Sequence, residues 1–262
     1  MTLPMFVIRA HEKTNSAIPH EVGALYTLPP AVATHAIRSM RLNTDEELQL
    51  CDGNGLRIIA HIVDPQQASV CIDEINQEEE PKIKLGLIQA LAKSGRDEQA
   101  IEMATEIGVD KVIPWQSQRS IVQWKGNKAQ KALNKWQDLV TGASEQSRRS
   151  FVPDIYDVMT TKQLNAWMAT SIAQGDVVIV LHQDATDSWS GIEQRVKTLK
   201  ERTESSTVWV VVGPEGGITD DEVEMFKTQG AQVCVIGTNI LRASSAGSVA
   251  LTLLSRVLER YA

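Results

Sequence analysis

The 262-residue sequence predicts an α/β protein: a domain with a mainly parallel sheet, preceded by a small β-rich domain. Three observations predict it. Before residue 76, short β-prone pieces are separated by turn residues. At 76–81 the run NQEEEP is acidic and closes on a proline, which reads as a linker. From residue 82 onward, apolar runs of strand length alternate with helical stretches. The expected domains are 1–75 and 82–262.

In the first domain, MFVIRA, LQLCDG, LRIIAHIVD and SVCIDEI read as strands. Asp52, Gly53, Asn54 and Gly55 lie between two of them, and Asp-Gly and Asn-Gly pairs between apolar runs are hairpin signals. One helix is expected from Pro29 to Leu42, with proline at its start. Together the pieces suggest a small β-barrel or curled sheet.

In the second domain, IKLGLIQAL reads as a buried strand leading into a helix. RDEQAIEMATEIGV puts Ile101, Ala104 and Ile107 on one face, the mark of an amphipathic helix. KVIPW is a short strand, and KAQKALNKWQDLVTGASEQS is helical. DVVIVL, TVWVVVG and AQVCVIG are apolar throughout, as parallel strands covered on both faces are. SSAGSVALTLLSRVLERY closes the chain as a helix, whose Leu251, Leu253, Leu254, Val257 and Leu258 serve either a core or a subunit interface. No internal repeat occurs at a fixed period.

An apolar fraction of 42% supports a real core, and a charged fraction of 23% is ordinary for a globular protein. The N-terminus lacks an apolar signal core, since Arg9, His11 and Glu12 interrupt it. The apolar run at 177–181 is far too short to span a bilayer. A cytoplasmic protein with no membrane partner is expected. Cys51, Cys71 and Cys234 form no C-x-x-C pair, so neither a disulfide framework nor a metal site is expected.

The net charge of −7 argues against a nucleic-acid partner, but its distribution does not. Between Arg119 and Arg149, the basic residues Arg119, Lys125, Lys128, Lys131, Lys135, Arg148 and Arg149 face only Asp138 and Glu145, a local balance of +5. That segment is either a solvated helix face or a phosphate-contacting surface whose binding depends on salt.

Three strand ends carry loops of chemical interest. In VVVGPEGGITDDEVEMF the strand ends at Val212, the turn runs from Gly213 to Gly217, and a helix follows. Thr219 and Glu222 have capping-box spacing. Gly216 and Gly217 let backbone approach a ligand, while Pro214 stiffens the turn that carries Glu215. Open α/β sheets bind ligands at such strand ends, although a tight turn needs glycine in any case. VIGTNILRASSAG, with Gly237, repeats the layout, and VVIVLHQDA places His182 beyond a third strand.

These residues resemble the ribosomal RNA small subunit methyltransferase E family. GPEGGITDDE and IGTNILR are similar to its Gly-Pro-Glu-Gly-Gly-[Phe/Leu/Ile]-[Ser/Thr]-x-x-Glu and Leu-Gly-x-x-[Ile/Val]-Leu-Arg motifs. Glu106, Ile107, Gly108, Val109, Pro114, Arg119 and Ser120 fit its Glu-Leu-Gly-Val helix end and following strand. Ala143, Glu145, Gln146, Arg149, Val152 and Pro153 fit its Ala-x-Glu-Gln-x-x-Arg stretch. HAIRSMRL followed by CDGNG looks like its N-terminal pattern, so the likeness runs in order through nearly the whole chain.

The resemblance implies a PUA-like β-barrel that helps bind RNA, then a SPOUT-type domain with a deep trefoil knot. It implies a homodimer that uses S-adenosylmethionine to methylate N3 of a uridine in 16S rRNA of the small ribosomal subunit. The cofactor would lie against Leu181 and His182; Gly213, Pro214, Glu215, Gly216 and Gly217; and Ile236, Gly237, Ile240, Leu241 and Arg242. RNA would meet Arg38, Arg41, Arg119, Gln146, Arg148 and Arg149, with Arg119, Arg149 and Glu215 nearest the chemistry. Glu215 and His182 are the candidate bases, and positioning without a dedicated base is the alternative. One departure stands out: where the family usually has glutamate, this chain has Ser244, either a helix N-cap or a lost charge. Rival readings are a SPOUT enzyme acting on a ribose 2′-hydroxyl, a non-catalytic ribosome-assembly factor that binds RNA, and an unrelated α/β nucleotide-binding enzyme.

Overall fold

The computed structural model describes residues 3–8, 17–201 and 204–261. Arg9, His11 and Glu12, on which the reading of the N-terminus rests, lie outside them. The chain forms two compact units: Met1–Glu80 with Thr141–Val152, and Pro81–Val140 with Pro153–Ala262.

The first unit holds β1 (Met5–Val7), β2 (Leu25–Thr27), α1 (Pro30–Ala33), β3 (Glu47–Cys51), β4 (Leu56–Asp64) and β5 (Ser69–Gln77). They form a five-stranded sheet in the order β1-β3-β4-β5-β2. β1 runs parallel to β3, and the other pairs are antiparallel. Leu56, Ile58, Ala60 and Ile62 alternate onto one face of β4 and join Phe6, Leu48, Leu50 and Ile72 in the core. This is the period-two burial expected of a half-covered strand.

The expected hairpin is present. Asp52 Oδ1 accepts the N–H groups of Asn54 and Leu56, and Gly53 and Gly55 take positive φ. The expected helix from Pro29 to Leu42 is shorter and differently wound: after α1 the chain continues as a π-helix over Thr34–Ser39, with Met40 N–H donating to the His35 carbonyl. The expected linker at 76–81 is in part strand. β5 reaches Gln77, which pairs with Leu56, and Glu78 binds Arg57 Nε at 2.7 Å. Glu78 is thus partnered, not merely solvated.

The inclusion of Thr141–Val152 in the first unit departs from the expected boundaries. Residues 150–152 clasp the hairpin turn, through Gly55 N–H to Ser150 O and Val152 N–H to Gly53 O. Glu145 Oε1 accepts the Val7 N–H at 2.9 Å. Local sequence pattern carries no trace of pairings this distant along the chain.

The second unit contains β6 (Ile83–Ala90), α2 (Arg96–Ile107), β7 (Lys111–Gln116), α3 (Asn127–Ser147), β8 (Asp154–Ile155), β9 (Met159–Thr160), α4 (Thr161–Ala173) and β10 (Val177–Leu181). β11 (Asp187–Ser188), α5 (Trp189–Leu199), β12 (Ser206–Val212), α6 (Asp220–Thr228), β13 (Gln232–Val235) and α7 (Ala243–Val257) follow. The last seven residues of α3 belong to the first unit. The sheet is wholly parallel, ordered β11-β13-β10-β12-β6-β7-β8, with β9 also on β7. Helices α2 and α7 cover one face, and α4 and α6 pack on the other, which explains the unbroken burial of β12. Helices α4 and α5 go beyond the sequence expectation. The capping box of Thr160 and Gln163, legible as T-x-x-Q, marks the start of α4.

β6 carries a glycine where its neighbour needs the room. A Cβ on Gly86 would lie 2.2 Å from Trp209 Cε3. The Trp209 ring cannot retreat freely: Nε1 donates to Asp176 Oδ2 at 3.1 Å, and Tyr156 and Trp167 meet it edge to face. Gly86→Ala is therefore expected to cost about 3 kcal/mol by overpacking. A urea denaturation curve superposing on that of the wild type would contradict this.

Candidate functional site

Strands β13, β10 and β12 are neighbours in the sheet, and their carboxyl ends open into one cleft of about 710 Å³ within the second unit. All twelve residues singled out for a cofactor line it: Leu181 and His182; Gly213 to Gly217; Ile236, Gly237, Ile240, Leu241 and Arg242. Arg119 lines it too, as does Arg96 at the first position of α2. Parallel strands whose carboxyl ends share one edge bring remote loops together in this way.

The turn from Gly213 to Gly217 is held at two of its residues. Gly217 has φ +74°, which a side chain would strain, and its N–H donates to the Pro214 carbonyl at 2.9 Å. Arg119 NH1 donates to the Gly216 carbonyl at 2.9 Å, and a Cβ on Gly216 would meet Arg119 Cβ at 3.1 Å. At the preceding residue, Glu215 Oε1 accepts the Lys93 N–H at 3.2 Å and faces Arg96 NH1 at 3.4 Å. Glu215 is thus engaged as an acceptor by the segment between β6 and α2.

Beneath the turn lies a fully buried carboxylate. Glu222 Oε2 accepts the Thr219 N–H at 3.0 Å and the Thr219 hydroxyl at 3.1 Å, while Thr219 Oγ1 caps the Glu222 N–H. Its Oε1 accepts the Gln118 N–H at 2.8 Å and the Thr161 hydroxyl at 2.7 Å. The expected capping box therefore does more than start α6. It ties the glycine turn to the loop that carries Arg119 and to the start of α4. Burying an ionised carboxylate is costly unless its lone pairs are met, and here four donors meet them.

His182 Nδ1 accepts the Asp184 N–H at 3.3 Å, so a neutral ring carries its proton on Nε2. Cys234 also lines the cleft, and burial, then the nearby Asp187 charge, push its thiol up to about 12. It is protonated and poorly nucleophilic at neutral pH. Ser244 is buried at the second position of α7; the residue before the helix is Arg242, which makes no side-chain cap. The N-cap reading of Ser244 is thereby corrected.

The remaining predicted RNA ligands belong to the first unit and are not among the cleft's lining residues. Arg38 and Arg41 are exposed, Arg41 with φ +61°. Gln146 is exposed and Arg149 half-buried. Arg148 is partly committed: its Nε donates to the Leu3 carbonyl at 3.1 Å, and its own carbonyl accepts Arg57 NH2. Among the described residues, one group of three potential metal ligands occurs, His61, Cys71 and Asp73, none of which lines the cleft. Asp73 is the extra residue of a β-bulge, and it pairs with His61 Nδ1 at 2.8 Å.

Comparison with known proteins defines the class first. Residues 78–255 match the family model of an RNA methyltransferase domain. The chain is 31% identical over 243 residues to the ribosomal RNA small subunit methyltransferase E of Mycobacterium bovis, covering 92% of this chain and 90% of the relative. It is 29% identical to that of Bacillus subtilis, covering 84% and 86%. The structure of a ribosomal RNA small subunit methyltransferase E from Neisseria gonorrhoeae bound to S-adenosyl methionine superposes with a TM-score of 0.80 at 24% identity over 98% of both chains. The chain belongs to the ribosomal RNA small subunit methyltransferase E family.

Arg96 escapes sequence reasoning, in which RDEQ is only the start of an amphipathic helix. Its signal is positional: it directly follows the loop at the carboxyl end of β6, a central strand of the parallel sheet. Glu222 yields the test of the cleft's foundation. Glutamine keeps one acceptor oxygen, so its amide must face either the Gln118 N–H or the Thr219 N–H. Glu222→Gln is expected to cost about 3 kcal/mol, more than the roughly 1 kcal/mol of Thr219→Ala. Thermal and urea unfolding of both variants check the order, and a milder glutamine variant would refute the shared-anchor role.

Proposed function

We propose that this protein transfers a methyl group from S-adenosylmethionine to N3 of a uridine in 16S rRNA of the small ribosomal subunit. The observation that carries this reading is the cleft: three neighbouring strand ends with glycine-bearing loops, in a chain of this family. Its volume suits one small molecule, and its lining suits an uncharged nucleoside. Leu181, Ile236, Ile240 and Leu241 offer apolar surface, and Gly216 and Gly217 leave backbone open. When bound, the cofactor supplies an activated methyl group on a sulfonium.

The protein's own contribution is positioning and charge. Glu215 is held by the Lys93 N–H and by Arg96, so it acts as a tether for the turn, not as a base. His182, with Nδ1 occupied, presents an Nε2 proton as a donor. The uridine N3 proton then leaves to solvent, and N–H donors stabilise the uracil anion. In the second unit Arg119 contacts RNA, and in the first Arg38, Arg41, Gln146 and Arg149 do so.

The first unit is read as a PUA-like barrel for RNA, on the strength of its five-stranded sheet. The second is read as a SPOUT domain with a trefoil knot, working as a cytoplasmic homodimer. Among the described residues no helix is long and apolar enough to cross a membrane.

Nucleoside mass spectrometry of 16S rRNA from a deletion strain is expected to lack 3-methyluridine, and complementation to restore it. Retention of the modified base in the deletion strain would sink the proposal. Arg149→Ala is expected to weaken RNA binding about tenfold, the worth of one charged hydrogen bond. Calorimetry with S-adenosylmethionine should give unchanged affinity for that variant, and loss of cofactor binding alone would contradict the role.

A further inference from the structure

Arg96, after β6, and Arg119, after β7, meet consecutive residues of the glycine turn. Arg96 NH1 faces Glu215 Oε1 at 3.4 Å, and Arg119 NH1 donates to the Gly216 carbonyl at 2.9 Å. Each guanidinium has five N–H donors, and among the described residues these are the single hydrogen bonds made by either side chain. Both line the cleft; Arg119 is exposed, and the Arg96 side chain is 35% exposed. They are held in place, with donors to spare, at the mouth of the site.

The segment leading to Arg96 is fastened more tightly than a surface loop requires. Ser94 and Gly95 both take left-handed φ, +59° and +70°. The serine conformation is disfavoured and persists only where the surroundings enforce it. The enforcement is visible: buried Asp97 accepts the Ala92 N–H and the Glu98 N–H, and Glu215 accepts the Lys93 N–H. Burial raises the Asp97 pKa, a cost borne while it holds this turn. A cation at the first residue of a helix also lies at the unfavourable end of the macrodipole. Glu215 is the anion that meets one of its N–H groups, and the others are left for a further anion.

We propose that Arg96, paired with Arg119 across the Glu215–Gly216 segment, binds a backbone phosphate of the RNA strand entering the cleft. The inference rests on the reading that the cleft's substrate is RNA. Guanidinium forks match phosphate oxygens in pairs, and two forks fastened to one turn define a phosphate's place relative to the cofactor wall. The cofactor's carboxylate is the other anion within reach of the same chemistry, and the test separates the two.

The full-length protein is titrated with a fluorescein-labelled oligouridine RNA, by anisotropy, at a series of salt concentrations. Arg96→Gln is expected to weaken RNA binding about tenfold. It should also reduce the slope of log K against log salt by about 0.7, one single-strand phosphate contact. Arg96→Lys keeps the charge and should recover most of the slope, which a merely structural role would not predict. Calorimetry with S-adenosylmethionine should give affinities within about twofold of wild type for both variants, a difference of about 0.4 kcal/mol or less.

Unchanged RNA affinity and slope in Arg96→Gln would overturn the proposal. So would an equal loss of cofactor affinity, which would assign Arg96 to the carboxylate. The binding readout is independent of methylation. If the deletion strain retains 3-methyluridine but Arg96 still sets the slope, the functional reading fails and this inference stands. If methylation is lost on deletion but the variants bind RNA as wild type does, this inference fails alone.

Discussion

The buried Glu222 carboxylate is the constraint on which the site's geometry depends. Its two oxygens join three pieces of chain: the Thr219 cap after the glycine turn, the Gln118 backbone after β7, and the Thr161 hydroxyl at the start of α4. None of these contacts touches the cleft surface. Yet Gln118 precedes Arg119, and Thr219 follows Ile218 at the turn's end. Fixing the two backbones to one carboxylate sets the distance over which Arg119 reaches Gly216. A carboxylate does this where an amide fails, because all four incoming groups are donors. Among the described residues Glu222 is the one acidic residue with no exposure at all, and the result is a glycine turn with little freedom to open or collapse.

Above that anchor, the turn is gripped at two consecutive residues by segments that follow strands of the same sheet. Glu215 reaches back to the β6–α2 segment, and Gly216 receives Arg119 from beyond β7. In sheet order β12 lies next to β6, and β6 next to β7, so the grips come from successive strands. Side chains absent at Gly216 and Gly217 leave room for Arg119 to lie against the backbone. The glycines therefore serve protein packing as well as access for a ligand, and the two explanations for the turn hold together. Glu215, accepting the Lys93 N–H and facing Arg96, braces the turn against the β6–α2 segment.

Much of this is legible in the residues. The strands of the parallel sheet announce themselves as apolar runs with no polar alternation, because both of their faces are covered. The capping box at Thr219 and Glu222 is legible because it is local. The loops of the cleft can be grouped by pattern alone, since parallel strands must end on one edge. What stays hidden depends on contacts far apart in sequence. Glu222 reads as a helix cap, and its second oxygen finds Gln118 and Thr161 only in three dimensions. Residues 150–152 look like a loop between helix and strand, yet they clasp the Gly53–Gly55 turn. Arg96 looks like a solvated helix start, and only the strand order puts it beside Glu215. Helix α4 is a different failure. It is apolar enough on one face to bury Leu164 and Met168, but its polar residues blur the period, and only its cap marks it plainly.

The basic segment shows why charge counted along a chain differs from charge a partner can meet. Its formal balance of +5 treats every cation as available. Lys135 is paired with Glu98, and Arg148 turns its Nε to the Leu3 carbonyl, while α3 carries the segment from one unit into the other. Arg119 commits one nitrogen to Gly216 and keeps the rest. The segment is therefore not one continuous field. Among the described residues it divides into cations engaged by the fold, such as Lys135 and Arg148, and others, Arg119 with the exposed Lys125, Lys128 and Lys131, whose donors remain open. Arg96 lies outside the segment altogether, in a stretch where Asp97 and Glu98 hide it from any count of local charge. Affinity for a polyanion depends on such oriented, open donors far more than on the sum, so an acidic protein with a net charge of −7 can present cations where its cleft opens.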